Sequence, residues 1–268
     1  MGWPVGHSRS PLIHNYWIAE YGLSGAYVLL PVQPVHLAAA LRGLPALGFA
    51  GCNLTIPHKV EALRLVDHVE PLARRIGAVN TIVVQTDGSL LGRNTDAFGF
   101  IESLKEAHSG WQADTGPALV IGAGGAARAV IAGLLDAGAT DLRLTNRSDG
   151  KAHDLAQEFG ARVQPIAWEK RHAALAGCRL LVNTTNQGMR GEAPLDLKLD
   201  ELPLDALVAD IIYVPLQTPL LQAAHLRGNP TVNGLGMLVH QARAAFESWF
   251  GVLPNRSAAL IGKIEASL

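Results

Sequence analysis

A glycine-rich turn between an apolar run and an alanine-rich stretch constrains the fold of this chain more than any other feature. Residues 119–127 have the sequence LVIGAGGAA and fit the pattern G-x-G-x-x-A. The apolar run predicts a buried strand and the alanine-rich stretch predicts a helix, which is the context that a dinucleotide-binding turn requires. In such a turn Gly122 makes the bend, Gly124 lets the backbone approach a pyrophosphate, and the helix N-terminus offers N–H groups to the phosphates. The alternative is a tight strand-to-helix turn without a ligand.

Runs with strand character alternate with stretches of helical spacing along most of the chain. The predicted strands lie at 28–32, 51–56, 81–86, 118–122, 141–145, 180–183 and 207–212. The predicted helices lie at 36–44, 59–65, 126–137, 234–250 and 255–268. Asp87-Gly88 predicts a hairpin turn after the third of these strands. Because strands separated by helices usually pair in parallel, we expect an α/β fold with mainly parallel sheets, and this context favours dinucleotide binding at the turn.

The order of these elements predicts two domains. An N-terminal α/β domain with a mainly parallel sheet would cover residues 1–98 and bind the substrate. A Rossmann-type dinucleotide-binding domain would cover residues 99–233. A chain that ends in helices after its nucleotide domain can return them to the first domain, so we expect residues 234–268 to complete it.

Composition and charge narrow the class of protein. The chain has 268 residues with 49% apolar and 17% charged side chains, which is ordinary for a globular protein. A formal net charge of -1, without a basic stripe, argues against nucleic-acid binding. No run approaches the roughly 18 apolar residues of a membrane helix, and no signal peptide is evident. Two distant cysteines favour a reducing compartment. We therefore predict a cytoplasmic protein that acts on a small molecule, as a monomer or a homodimer, and no metal site.

The residues after the strand at 141–145 bear on the choice of dinucleotide. An NAD site typically places an acidic residue here to hold the ribose 2′-hydroxyl, whereas Asn146 and Arg147 occupy these positions. Arginine can clamp a 2′-phosphate bidentately, and Lys151 can add positive charge. Asp149 complicates this interpretation, because it would repel a phosphate or bind a ribose hydroxyl. We expect NADP rather than NAD; the alternative is that Arg147 and Lys151 are solvated loop charges.

Two polar clusters lie near the start of the chain. Ser8 and Ser10 are two residues apart, so that both hydroxyls can bind one carboxylate; the alternative is that Ser10, followed by a proline, caps a helix. Asn53 and Thr55 alternate along a predicted strand and would share one face. Lys59 lies where a helix is predicted to start, and the helix dipole disfavours its charge there. Such a placement is typical of a functional lysine, although a surface lysine is commoner.

A third cluster, Asn94-Thr-Asp96, follows the predicted hairpin. Asp96 can cap the next helix, or it can pair with Lys59 and orient a substrate hydroxyl. Asn80, at the start of a predicted strand, supplies another amide.

Taken together, these motifs resemble the shikimate dehydrogenase family over almost the whole chain. The matching segments are S-x-S-P at 8–11, N-x-T-x-P-x-K at 53–59, AVNT at 78–81, NTD at 94–96, GAGGA at 122–126, NR at 146–147 and NGLGMLVHQ at 233–241. The resemblance implies a reversible NADPH-dependent reduction of 3-dehydroshikimate to shikimate in chorismate and aromatic amino acid biosynthesis. It also implies a catalytic pair of Lys59 and Asp96.

The resemblance further implies the ligand contacts. The substrate carboxylate would be held by Ser8, Ser10 and Tyr213, and the ring hydroxyls by Asn53, Thr55, Lys59, Asn80, Asp96 and Gln241. The cofactor would be lined by Gly122, Ala123, Gly124, Gly125, Ala126, Asn146, Arg147, Lys151, Ile211 and Gly234.

Two departures and several alternatives accompany the resemblance. One departure is the run from Asn146 to Asp149, since relatives that also accept NAD and quinate carry an acid in that region. Family members usually begin with a strand ahead of the segment at 2–8, whereas only Met1 precedes it here. One alternative is a quinate/shikimate dehydrogenase that uses NAD or both cofactors. Another is a non-catalytic NADP-sensing regulator, against which the complete set of Ser8, Ser10, Lys59 and Asp96 argues. Another two-domain dehydrogenase, such as a folate enzyme, would not explain the paired serines.

Overall fold

The computed structural model describes residues 1–268 and divides into two compact units. The N-terminal unit comprises Met1–Gly99 and Val239–Leu268, and the central unit comprises Phe100–Leu238. The last helices of the chain therefore return to the first unit, as the sequence predicted. None of the helices is both long and apolar enough to span a membrane.

The N-terminal unit contains a four-stranded sheet. Its strands are β1 (Gly51–Asn53), β2 (His68–Val69), β3 (Thr81–Val84) and β4 (Leu90–Arg93), in the order β1-β3-β4-β2. The α/β class is confirmed, but the expectation of a mainly parallel sheet in this unit is wrong. β1–β3 and β3–β4 are antiparallel, and only β2–β4 is parallel. The hairpin through Asp87-Gly88 explains the β3–β4 pairing, because so short a connection joins only antiparallel neighbours, whereas parallel strands need a crossover of about a dozen residues or more.

The first residues of the chain lie between two extended segments. Gly2 N–H donates to Leu30 O at 3.3 Å, and Val32 N–H donates to Gly2 O at 3.1 Å. On the other side, Thr55 N–H donates to Met1 O at 3.0 Å. The predicted strands at 28–32 and 51–56 are therefore shorter or less regular than expected, because these segments pair with residues 1–3 rather than with a long neighbouring strand.

Seven helices belong wholly or partly to this unit. They are α1 (Ser10–Glu20), α2 (Leu37–Gly43), α3 (Ala62–Leu65), α4 (Pro71–Ile76), α5 (Asp96–Ala107), α9 (Gly234–Phe250) and α10 (Ala258–Glu265). α1 packs against α10, and Trp17 Nε1 donates to Asn255 O at 3.1 Å. The ring of Phe246 on α9 contacts the same tryptophan. These contacts attach the C-terminal helices to the N-terminal unit.

The central unit contains a six-stranded parallel sheet. Its strands are β5 (Ala118–Ile121), β6 (Leu142–Thr145), β7 (Val163–Ile166), β8 (Leu180–Asn183), β9 (Leu207–Asp210) and β10 (Thr231–Val232), in the order β10-β9-β8-β5-β6-β7. The helices α6 (Gly125–Asp136), α7 (Asp149–Phe159) and α8 (Pro219–Arg227) complete the unit. The strand order reverses between β5 and β8, and open parallel sheets bind ligands at the carboxyl ends of strands at such a point. The Rossmann-type prediction is confirmed.

Candidate active site

Lys59 and Asp96 form an ion pair in the N-terminal unit. Lys59 Nζ lies 2.6 Å from Asp96 Oδ2, and Asp96 is only 5% exposed. Asp96 begins α5, where a helix N-terminus favours a carboxylate, and its N–H donates to Asn94 Oδ1 at 3.0 Å. The predicted helix start at Lys59 is wrong: residues 57–61 form irregular turns, and α3 begins at Ala62.

Asn80 aligns the second oxygen of Asp96. Its Nδ2 donates to Asp96 Oδ1 at 2.8 Å and to Thr95 Oγ1 at 3.0 Å. Asn80 and Thr95 are both buried. Asp96 therefore receives a hydrogen bond on each oxygen, one from Asn80 and one from Lys59, which fixes the plane of its carboxylate.

Ser8, Ser10, Asn53 and Thr55 surround one small cavity. Its volume is about 40 Å³, and apolar residues such as Val5 and Leu54 complete its wall. A cavity needs roughly 10–15 Å³ of such space to hold one water molecule, and polar side chains line this one, so it suits a small polar group. α1 begins at Ser10, and no side chain caps it. The capping alternative for Ser10 is thus not observed; instead Ser10 N–H donates to Ser8 Oγ at 3.3 Å.

The cavity and the ion pair share one hydrogen-bond network. Asn53 Nδ2, at the cavity, donates to Asn80 O at 3.2 Å. The other two predicted substrate residues lie in different units: Tyr213 follows β9 in the central unit, and Gln241 lies on α9 in the N-terminal unit. Their substrate contacts stay predictions.

The glycine-rich turn has the properties that a pyrophosphate site needs. Gly122 has a φ of 109°, and a Cβ there would lie 2.5 Å from Thr184 Oγ1, so only glycine fits. Around Gly124 and Gly125 the space is open, since a Cβ at either would meet no atom within 4 Å. No side chain caps α6, so its first N–H groups can face a phosphate.

The loop after β6 places positive charge at the N-terminus of α7. Arg147 and Lys151 are exposed, and Asn146 Nδ2 donates to Ser148 O at 2.9 Å. Asp149 Oδ1 accepts a hydrogen bond from Trp168 N at 3.2 Å. The carboxylate that complicated the cofactor prediction is thus engaged by the backbone of the segment after β7.

Ile211 and Gly234 lie together at the end of β9. A Cβ at Gly234 would lie 2.0 Å from Ile211 O, so the close approach of these two backbones requires glycine. Asp210 stabilises this segment: it accepts hydrogen bonds from Thr218 Oγ1 at 2.8 Å and from Ile212 N at 3.1 Å. Burial raises the pKa of Asp210, and these hydrogen bonds partly offset the shift. The sequence analysis missed Asp210, although an acid that ends a buried parallel strand is a usable signal.

The sequence analysis also missed three polar residues of the hydrogen-bond network that joins the cavity to the ion pair. Thr81 and Asn94 flank predicted site residues in the motifs AVNT and NTD, so their positions were a signal. Tyr27 lies in an irregular segment, and no local pattern marks it.

Three family descriptions match successive parts of the chain. Residues 1–82 match the shikimate dehydrogenase substrate binding domain, residues 104–189 match shikimate/quinate 5-dehydrogenase, and residues 234–260 match the shikimate 5′-dehydrogenase C-terminal domain.

Individual relatives agree with these matches. The NADP(+) shikimate dehydrogenase of Paramagnetospirillum magneticum is 56% identical over 257 residues, which cover 96% of this chain and 93% of that protein. The solved structure of shikimate 5-dehydrogenase from Thermus thermophilus, in complex with NADP(H) and shikimate, has a TM-score of 0.88 and 39% identity and covers 100% of this chain and 97% of that one. A quinate dehydrogenase from Corynebacterium glutamicum, in complex with NAD, has a TM-score of 0.89 and 29% identity, with coverage of 99% and 95%.

Proposed function

This chain belongs to the shikimate dehydrogenase family, and from that premise we propose that it catalyses the reversible NADPH-dependent reduction of 3-dehydroshikimate to shikimate. It is an oxidoreductase of the class that acts on a CH–OH group. The observation that carries the proposal is the partly buried Lys59–Asp96 pair, joined by hydrogen bonds to a cavity lined by two serines and three further polar side chains.

We propose that the cavity orients the substrate by its carboxylate. Ser8 and Ser10 donate hydroxyl protons to the carboxylate, and Tyr213 contributes a third hydroxyl. The ring hydroxyls bind Asn53, Thr55, Lys59, Asn80, Asp96 and Gln241. Hydrogen bonds from several directions hold the ring in one orientation, which lowers the entropic cost of reaction.

The roles of Lys59 and Asp96 follow from the charge that develops during reduction. When bound, NADPH supplies the hydride. The substrate carbonyl oxygen then becomes negative, and Lys59 stabilises that charge and donates a proton to the oxygen. Asp96 holds the ammonium in place through its Oδ2. In the reverse direction Lys59 takes the hydroxyl proton, so the same pair serves both directions.

The residues of the central unit fit NADP. The open turn at Gly124 and the uncapped start of α6 suit a pyrophosphate. Arg147 and Lys151 are proposed to hold the 2′-phosphate. The hydrogen bond from Trp168 N to Asp149 Oδ1 supports this choice, because it engages one oxygen of the carboxylate within the protein. Ala123, Gly125, Ala126, Asn146, Ile211 and Gly234 are proposed to complete the cofactor site.

A crossed assay tests the proposal. Purified protein is given shikimate or quinate with NADP+ or NAD+, and formation of the reduced nicotinamide is followed by absorbance. We expect shikimate with NADP+ to give the highest kcat/KM. Comparable rates with quinate or NAD+ would favour the quinate/shikimate alternative. Cofactor binding without turnover, from a folded protein, would favour a regulator. A cytoplasmic location and a monomeric or homodimeric state stay predictions.

A further inference from the structure

A backbone N–H group fixes the orientation of the Asn80 amide. Thr95 N–H donates to Asn80 Oδ1 at 2.8 Å, and a backbone N–H can only donate. The oxygen of this amide therefore faces Thr95 N, and its NH₂ group faces Asp96 Oδ1 at 2.8 Å. The direction of every neighbouring hydrogen bond follows from this orientation.

The hydroxyl of Thr81 connects Asn80 to Asn53, and its donor and acceptor roles follow from the orientation of Asn80. The Thr81 hydroxyl lies 2.9 Å from Asn80 Oδ1 and must donate to it, since that oxygen only accepts. Thr81 Oγ1 then accepts a hydrogen bond from Asn53 Nδ2 at 3.0 Å. Asn80 O also accepts from the same nitrogen. Both amide protons of Asn53 are thereby used within the protein.

Tyr27 completes this series of hydrogen bonds at the cavity. Its hydroxyl donates to Asn53 Oδ1 at 2.8 Å. Burial raises the pKa of Tyr27, which keeps this hydroxyl protonated and able to donate. Ser10 and Tyr27 line the same cavity.

Two residues of α1 hold Tyr27 in place. Asn15 binds the backbone of Tyr27 from both sides: its Oδ1 accepts from Tyr27 N at 2.7 Å, and its Nδ2 donates to Tyr27 O at 2.9 Å. The ring of His14 stacks on the Tyr27 ring, with the planes 5° apart and the centroids at 4.3 Å. A tyrosine held at its backbone and its ring has a fixed hydroxyl position.

We propose that Tyr27 and Thr81 are positioning residues for the substrate and the catalytic pair. Through Tyr27 and Thr81, Asn53 is left with one acceptor lone pair for a substrate hydroxyl. Thr81 adds a second donor to Asn80 Oδ1, beside Thr95 N–H, and so helps to keep the Asn80 NH₂ group on Asp96. The carboxylate end of the cavity is thus joined to the Lys59–Asp96 pair by hydrogen bonds that all run in one direction. This inference rests on the proposed function.

The proposal differs from a purely structural role in what it predicts for kinetics. A structural role would lower the folding stability, which reduces the apparent kcat through the fraction of folded protein and leaves both KM values unchanged. A positioning role changes kcat and the KM for shikimate in folded protein, and leaves the KM for NADP+ unchanged. It also makes the two residues interdependent, because both act on the amide of Asn53.

The test measures kcat and both KM values for Tyr27→Phe, Thr81→Val, Thr81→Ser and the double variant Tyr27→Phe/Thr81→Val. We expect Tyr27→Phe to raise the KM for shikimate about 5-fold, since it removes one hydrogen-bond donor. Thr81→Val leaves buried amide groups unpaired, and we expect a loss of about 10-fold or more in kcat/KM. Thr81→Ser restores the hydroxyl and should return activity to near the wild-type value. The matched control is Tyr16→Phe, whose hydroxyl contacts Ser257 and Glu20 instead.

The double variant decides whether Tyr27 and Thr81 act through one continuous series of hydrogen bonds. If Tyr27 and Thr81 act through the same amide, the combined loss is smaller than the product of the two single losses. Multiplied losses, or an unchanged KM for shikimate in folded Tyr27→Phe, would overturn the inference even if Thr81→Val fails to fold. Absence of turnover in the wild-type protein would instead mean that the proposed function has failed.

Discussion

The Lys59 ammonium lies 2.6 Å from Asp96 Oδ2, and the two residues come from segments that are 37 positions apart in the chain. The Asp96 side chain is 8% exposed and the Lys59 side chain 23% exposed. A pair with this little solvent around it is held in a defined geometry, and removal of one partner leaves the other poorly compensated. The ammonium remains partly accessible, so a substrate oxygen can reach it.

Lys59→Met should reduce kcat by about 10²-fold or more, because the shikimate hydroxyl loses the group that takes its proton during oxidation. The measurement is the steady-state rate with shikimate and NADP+, alongside circular dichroism to verify folding. Lys105→Met is the matched control, since Lys105 is exposed and pairs with Glu102 on the same helix. A near-normal kcat in folded Lys59→Met would exclude the proposed role.

Arg147→Ala should weaken NADP+ selectively. The side chain is exposed at the start of α7, where a 2′-phosphate is proposed to bind. Loss of a charge-assisted contact should raise the KM for NADP+ by about 10-fold or more and leave the KM for NAD+ nearly unchanged. Arg64→Ala, at an exposed surface pair, is the control. An equal rise for both cofactors would assign Arg147 a role other than phosphate recognition.

Gly122→Ala and Gly124→Ala should separate stability from cofactor binding. At Gly122 the positive φ and the Thr184 side chain leave no room for a Cβ, so we expect a loss of about 1–3 kcal/mol in the free energy of unfolding. At Gly124 a Cβ meets no protein atom, so the variant should fold normally but bind NADP+ more weakly. Denaturant titration and cofactor titration measure the two effects. Normal NADP+ binding by Gly124→Ala would argue that the pyrophosphate does not approach this backbone.

The local patterns of several elements were strong enough to predict these elements from sequence. β8 was predicted at its observed bounds, 180–183, and α9 at 234–250, because each is a continuous or periodic apolar pattern. β7 was not predicted: its sequence VQPI contains a glutamine and a proline, and as an edge strand it pairs only with β6. An edge position tolerates proline because one side of the strand needs no ladder partner.

The candidate site shows the same difference between what local patterns indicate and what depends on tertiary contacts. Residues within motifs, such as Ser8, Asn53 and Lys59, were predicted as site residues from their type and spacing and from the family resemblance. The contact between Tyr27 and Asn53 was not, because it depends on the tertiary meeting of an irregular segment with β1. The prediction of parallel strands in the N-terminal unit was wrong for a related reason. The pairing of β1 with β3 is a long-range contact that the alternation of helices and strands does not determine.

His14 should make the folding stability fall in acid. Burial lowers the pKa of His14 to about 3, and neither ring nitrogen has a hydrogen-bond partner. Its surroundings are the rings of Tyr27, Trp17, Phe246 and Trp249. The unfolded chain binds a proton at this position below about pH 6.5, whereas the folded protein does not until about pH 3. The contribution of the neutral His14 side chain to the free energy of unfolding is therefore complete above pH 6.5. It is lost on acidification, by roughly 1.4 kcal/mol per pH unit.

His14→Phe tests this directly, because it keeps an aromatic ring in the cage and removes the titration. Between roughly pH 7 and pH 5 the wild-type free energy of unfolding should fall by about 2 kcal/mol more than that of the variant. His108→Phe, at an exposed position, should follow the wild-type pH dependence. Parallel pH profiles for the wild type and His14→Phe, measured by urea titration at each pH, would mean that the buried imidazole gains a proton partner in the folded protein.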